Sequence, residues 1–154
     1  MFLPSGRQQK GKDMNIIVID GQGGSLGKQL ITQLRKALPN QPVTAIGTNS
    51  IATSAMLKAG ADAGATGENP VLVGSSRADL ILGPIGILIA DALLGEITPA
   101  MAAAVGKSPA IKILIPVSKC NCAIAGTPEL PMAKYIESAV AKAVELVQRD
   151  LETL

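Results

Sequence analysis

Apolar and polar positions change period repeatedly along this chain, and the changes divide it into alternating elements. Residues 15–20 form a short, mostly β-branched run of the kind that makes a strand buried on both faces. Leu26, Leu30, Ile31, Leu34 and Leu38 then recur at helical spacing, with Ser25 placed to cap the helix and Pro39-Asn40 to end it. Val43 to Gly47 reads as a second strand, and Thr48-Asn49-Ser50 offers caps for a helix from about Ile51 to Ala59, closed by Gly60. A short third strand of small residues fits 61–66.

Between Glu68 and Arg77 the pattern is ambiguous, because Pro70-Val71-Leu72-Val73 fits a strand or a helical turn. Ala78 to Leu82 reads as a strand ending in Gly83-Pro84-Ile85-Gly86. Ile87 to Leu94 is apolar nearly all round apart from Asp91, and a helix of that composition has to be buried by the sheet or by a second subunit. Thr98-Pro99 opens another helix by the cap-plus-proline pattern, running to about Val105. Ile111 to Val117 is the last strand. From Pro131 onward Met132, Ile136, Val140, Val144, Val147 and Leu151 mark a long amphipathic helix, with Glu145 and Arg149 in the favourable i, i+4 order.

Strands alternating with helices through connections this short require right-handed crossovers and a parallel sheet. The predicted class is α/β: a doubly wound, mostly parallel sheet in a three-layer α/β/α arrangement. The 154 residues suit one domain, residues 14–154, preceded by an extension or tag at 1–13.

Charge narrows the partners. The formal net charge is +2, but three basic residues and one acidic residue lie before Met14, and from there 11 of each sign balance. A neutral body with one tyrosine and one phenylalanine offers neither a basic stripe nor a stacking platform, so no nucleic-acid partner is expected. The longest uncharged run near the middle, Leu80 to Ala90, is 11 residues, well short of the ~20 a bilayer span needs, so no membrane partner is expected either. Two cysteines one residue apart, Cys120 and Cys122, make neither a disulfide framework nor a zinc site and suit a reducing cytoplasm.

The candidate chemistry lies at the first strand-to-helix turn, IIVIDGQGGSLGK. Glycines there let the backbone approach a phosphate, while the free amides of the helix N-terminus attract the anion. A P-loop is excluded by spacing, since Gln22 stands where its first glycine belongs and Gln29 where its magnesium-binding hydroxyl belongs. Gly21, Gly23 and Gly27 give G-x-G-x-x-x-G, one residue longer than the dinucleotide fingerprint, and this form resembles the loop of short-chain dehydrogenases. The tyrosine-lysine pair of that group is missing, because Ala139 stands four residues after Tyr135.

The expected ligand edge is Gly21, Gln22, Gly23, Gly24, Ser25 and Gly27 cradling phosphate, with Thr48, Asn49 and Ser50 facing a ribose region. Gly83 and Pro84 form the opposite wall. The end of the second strand has no acid to hold a ribose hydroxyl, so NAD is not supported, while NADP or another nucleotide is compatible. The competing expectation is that Gly24 and Gly27 only let the first helix pack on the sheet.

With no histidine, catalysis would fall to a carboxylate, lysine, cysteine or tyrosine, and no catalytic set or metal site can be named. Lys119 beside Cys120 favours a thiolate, against the plainer expectation that both cysteines are buried filler. Asp91 and Glu96 fit substrate contact, with capping or ion pairing the plainer expectation.

Four blocks, DGQGGSLGK, GTNSIATSAMLKAGADAGATGEN, GPIGILIADALLGEITPAMA and ILIPVSKCN, together resemble a bacterial family of small conserved proteins of unknown function, over roughly Met14 to Gly126. The resemblance implies a Rossmann-like single domain and supplies no reaction and no catalytic residue. It also implies that the second cysteine is dispensable. The functional expectation is a small enzyme or sensor binding a phosphate-bearing ligand. The alternative is a non-catalytic homodimer or larger homo-oligomer assembled through the apolar Ile87–Leu94 segment.

Overall fold

A computed structural model describes residues 14–117 and 121–152. Five strands, β1 (Ile16–Asp20), β2 (Val43–Gly47), β3 (Ala63–Thr66), β4 (Leu80–Pro84) and β5 (Ile111–Ile115), form one sheet in the order β3-β2-β1-β4-β5. Every pairing is parallel, with Ile16 opposite both Val43 and Leu80. Five helices connect and cover them: α1 (Ser25–Ala37), α2 (Ser50–Lys58), α3 (Glu68–Arg77), α4 (Pro99–Lys107) and α5 (Met132–Glu152). The fold is the Rossmann-like three-layer α/β/α expected from the alternation of elements.

The period of two within β1 distributes the core. Ile16 and Val18 point to one face and join Leu30, Ile31 and Leu34 of α1, Met56 of α2, and Ile136 and Val140 of α5. Ile17 and Ile19 point to the other and join Val71 of α3 with Met101 and Val105 of α4. Leu30, Ile31 and Leu34 are fully buried, each worth roughly 2 kcal/mol relative to exposure. Among the described residues no helix is long and apolar enough to cross a membrane.

The structure settles the open segment, corrects some local expectations and bears out others. The ambiguous 68–77 segment is α3: Pro70 falls in its first turn, where a missing N–H costs nothing, and Glu68 faces the positive end of the helix dipole. The fourth strand starts two residues late, at Leu80, so Gly83 and Pro84 lie within it, and β5 stops at Ile115. Ser25 does not cap α1: the N-cap is Gly24, at φ 74, with no side-chain cap bond. Asn49 does cap α2, its side chain accepting from the Ala52 amide at 2.9 Å, and Thr98 caps α4 through the Met101 amide at 3.1 Å.

The buried helix expected at Ile87–Leu94 does not form. A single 3-10 turn spans Ile85–Leu88, and the chain then enters a compact loop in which Asp91, Leu93, Leu94 and Gly95 all have positive φ. Ile87 and Ala92 are buried against the chain's own core, whereas Leu94 is 95% exposed. The assembly helix argued from the apolar run is therefore absent.

Candidate functional site

In a doubly wound sheet a crevice opens where the chain leaves neighbouring strands in opposite directions, outside their carboxyl ends. Here that point lies between β1 and β4. A cavity of about 220 Å³ occupies it, lined by the continuous run Asp20 to Leu26 and closed by Gln29, Pro84, Leu93, Val117 and Met132. Six of the expected residues meet there: Gly21, Gln22, Gly23, Gly24, Ser25 and Pro84.

The remaining expected residues divide. Gly27 is buried, and a Cβ on it would lie 2.5 Å from Met56 Sδ and 2.9 Å from Asp20 Cβ. Gly24 is as confined, with Ala52 Cα at 2.8 Å. These two therefore serve helix packing, the competing expectation, although Gly24 also lines the cavity. Gly23 is different, since a Cβ there would meet nothing within 4 Å. Gly83 packs under Ile19 rather than lining the cavity. Ser50 lies in a separate groove between α1 and α2, of about 640 Å³, with Lys28 and Lys58. Lys28 also borders a groove of about 800 Å³ between α1 and α5, so it is turned away from the strand ends and holds no P-loop lysine position.

Asp20 organises the turn from inside. Its Oδ1 accepts from the Gly21 amide at 2.8 Å and its Oδ2 from the Gly27 amide at 2.7 Å, so a carboxylate of the chain itself sits on the first turn of α1. Burial raises the Asp20 pKa above the ordinary aspartate value. The two amides oppose that rise, and the nearby negative charge of Glu96 adds to it. The amides of Gly23, Ser25 and Leu26 have no partner among the described residues and border the cavity.

Glu96 is the residue whose role the sequence did not disclose. Its carboxylate reaches across from the loop after β4 and accepts the Gln22 amide at 3.2 and 3.1 Å, the Thr48 hydroxyl at 2.9 Å and the Asn49 side-chain amide at 2.5 Å. Asn49 also donates to the Gln22 carbonyl at 2.9 Å. Among the described residues Glu96 is thus neither a cap nor half of an ion pair; it fastens the glycine loop to the end of β2. Burial pushes its pKa up, but the combined bonds from Asn49, Thr48 and Gln22 outweigh that and hold it below the ordinary glutamate value. Leu93 from the same loop forms one wall of the cavity.

Other candidates fall away from the cleft or outside the described residues. Lys119 and Cys120 lie outside them, while Cys122 is exposed and not buried filler. Asp91 is exposed, with its backbone amide donating to the Ile97 carbonyl at 2.7 Å. The Tyr135 hydroxyl is taken up locally by the Pro128 carbonyl and the Leu130 amide. Among the described residues no group of three or more acidic, cysteine or histidine side chains is placed to hold a metal ion.

A family model described as a domain of unknown function (DUF3842) matches residues 15–148, which takes in all five strands, every helix but the last four residues of α5, and every residue of the cleft. No curated protein and no solved structure matches the chain.

Proposed function

The chain belongs to the DUF3842 family, whose description carries no activity, and from its cleft we propose that it binds a small phosphate-bearing molecule, in the first instance a nucleotide. One observation carries this: among the described residues the amides of Gly23, Ser25 and Leu26 have no partner, and they border the cavity at the switch point. Unpartnered amides at a helix start are donors poised for an anion. The open space above Gly23 lets a phosphate come close.

The cavity size supports a compact ligand. About 220 Å³ is below the roughly 300–1,000 Å³ of sites that enclose a drug-sized molecule, and it suits a phosphate with one sugar, the rest of a nucleotide lying outside. Among the described residues the cleft presents no nucleophile with a partnered base. A cytoplasmic setting belongs to the same reading, supported by the free Cys122.

Thermal-shift measurements against inorganic phosphate, NAD, NADP, ATP, GTP and flavins test it. A ligand at a hundred times its Kd stabilises by about 2.7 kcal/mol, which moves the midpoint of a domain this size by several degrees. No shift with any of them at millimolar concentration would overturn the proposal.

A further inference from the structure

Backbone strain gathers beside the cavity. Gln22 (φ 51) and Leu93 (φ 56) both line it, and neither is a glycine. Leu94 (φ 57) and Gly95 (φ 87) continue the left-handed run after Leu93. A side chain disfavours that conformation, and residues held in it persist only where their surroundings keep them there.

The surroundings of residues 93–96, the tip of the loop after β4, keep them there in three ways. The base of the tip is pinned: Ala92 and Ile97 are buried in the core, the Ile97 amide donates to the Ala92 carbonyl at 3.1 Å, and the Asp91 amide donates to the Ile97 carbonyl at 2.7 Å. The tip is seated on Gly21, where a Cβ would lie 2.9 Å from Leu93 Cδ1 and 3.5 Å from Glu96 Oε1. The Glu96 carboxylate then takes the Gln22 amide, the Thr48 hydroxyl and the Asn49 side-chain amide. Among the described residues, every hydrogen bond from the tip to a part of the chain outside its own loop runs through that carboxylate.

The tip is therefore pinned at its base, strained along its backbone and fastened by one side chain. We propose that it is a gate on the cavity. Glu96 is the latch, the left-handed backbone at Leu93 and Leu94 is the spring, and releasing the latch swings Leu93 out of the cavity wall. With Leu93 in place the gate is shut and the cavity measures about 220 Å³; withdrawing that wall opens it for a ligand to enter or leave. Glu96 is a positioning residue in this device, acting on protein partners and touching no ligand. The gate goes beyond the phosphate reading, since it needs the cavity but no particular occupant.

Latch and spring oppose each other, so weakening them shifts the closed and open populations in opposite directions. Amide relaxation-dispersion NMR on the isotope-labelled full chain reads those populations. Gln22, Leu93, Leu94, Gly95 and Glu96 are expected to share one exchange process on the microsecond-to-millisecond scale of lid motion, with Leu30 and Leu34 of α1 flat. Glu96→Gln keeps an oxygen for Thr48 and Asn49 but loses the charge, and is expected to raise the open population about tenfold. Leu94→Gly relaxes the spring and is expected to lower it about threefold. Thermal melts confirm that each variant is folded, and should Glu96→Gln fail to fold, the unmodified chain and Leu94→Gly still decide the matter. Flat profiles at the five amides of the unmodified chain overturn the gate, as does a population that both variants move the same way or that Leu94→Gly raises. Inorganic phosphate at millimolar concentration separates the two readings. If it moves no amide resonance of Gly23, Ser25 or Leu26 while the shared exchange persists, the phosphate reading has failed and the gate stands.

Discussion

Gln22 and Glu96 stand 74 positions apart, yet the amide of the first donates to both carboxylate oxygens of the second, at 3.2 and 3.1 Å. Through that contact, and through Thr48 and Asn49, the loop after β4 closes over the ends of β1 and β2. The glycine turn is held from two sides, by Asp20 beneath and Glu96 above.

Removing the upper hold has a defined cost. Glu96→Ala leaves the Thr48 hydroxyl and one Asn49 donor without their acceptor in a partly buried setting, a loss of about 1–3 kcal/mol. Glu96→Gln is expected to lose less, since its amide oxygen still accepts. Urea denaturation of both variants against the parent checks this, and equal stability of all three would show that the contact holds nothing together.

The two carboxylates have opposite pH signatures. Asp20 has a folded pKa above its ordinary 3.8, so the native state keeps a proton that the unfolded chain has lost. Its contribution is full below about pH 3.8 and declines as pH rises through the folded value. Glu96 has a folded pKa below its ordinary 4.5; its contribution is full above that value and is lost as pH falls through the folded one. Relative to the parent, Asp20→Asn should therefore gain stability as pH rises above about 3.8, and Glu96→Gln should gain as pH falls below about 4.5. Denaturation midpoints between pH 3 and 7 read the two slopes, and parallel profiles for parent and variants would refute both.

How much of this was legible in the sequence depends on the range of the cause. The β-branched run before Gly21, the leucine spacing of α1 and the Thr98-Pro99 cap are local signals, and each produced its element. The apolar run Ile87–Leu94 misled because its composition suits a helix, while the backbone turns left-handed at Asp91, Leu93, Leu94 and Gly95. No side-chain pattern announces leucine in that conformation; Gly95 was the one local hint. Asp20 was visible as the last residue of the first strand, but its bond to Gly27 depends on the turn geometry. Glu96 could not be assigned at all, because its partners belong to two other segments, brought together only by the order of the strands.

That left-handed loop carries strain at an exposed position. Leu94 has φ 57 and is 95% exposed, so its side chain gains nothing from burial to offset the conformation. A non-glycine residue there costs roughly 1–2 kcal/mol, part of which Leu94→Gly gives back as unfolded-chain entropy. The variant is expected to be more stable by about 0.5–1 kcal/mol, roughly 1–4 °C in melting temperature. A lower melting temperature would mean that Leu94 makes a contact in solution that this chain alone does not show.

The glycines of the turn separate structure from binding most directly. Gly24 combines φ 74 with a Cβ position 2.8 Å from Ala52 Cα, so Gly24→Ala meets both strain and backbone overlap between α1 and α2. It is expected to lose about 2 kcal/mol or more. At Gly23 a methyl group meets nothing within 4 Å, and Gly23→Ala should leave stability within about 0.5 kcal/mol of the parent. The same methyl group projects where the ligand phosphate would approach the Gly23 amide, so Gly23→Ala should reduce the ligand-induced thermal shift while the unliganded melt stays in place. If Gly23→Ala responds to phosphate ligands as the parent does, the anion does not sit on this turn, and the glycines serve only to pack helix against helix.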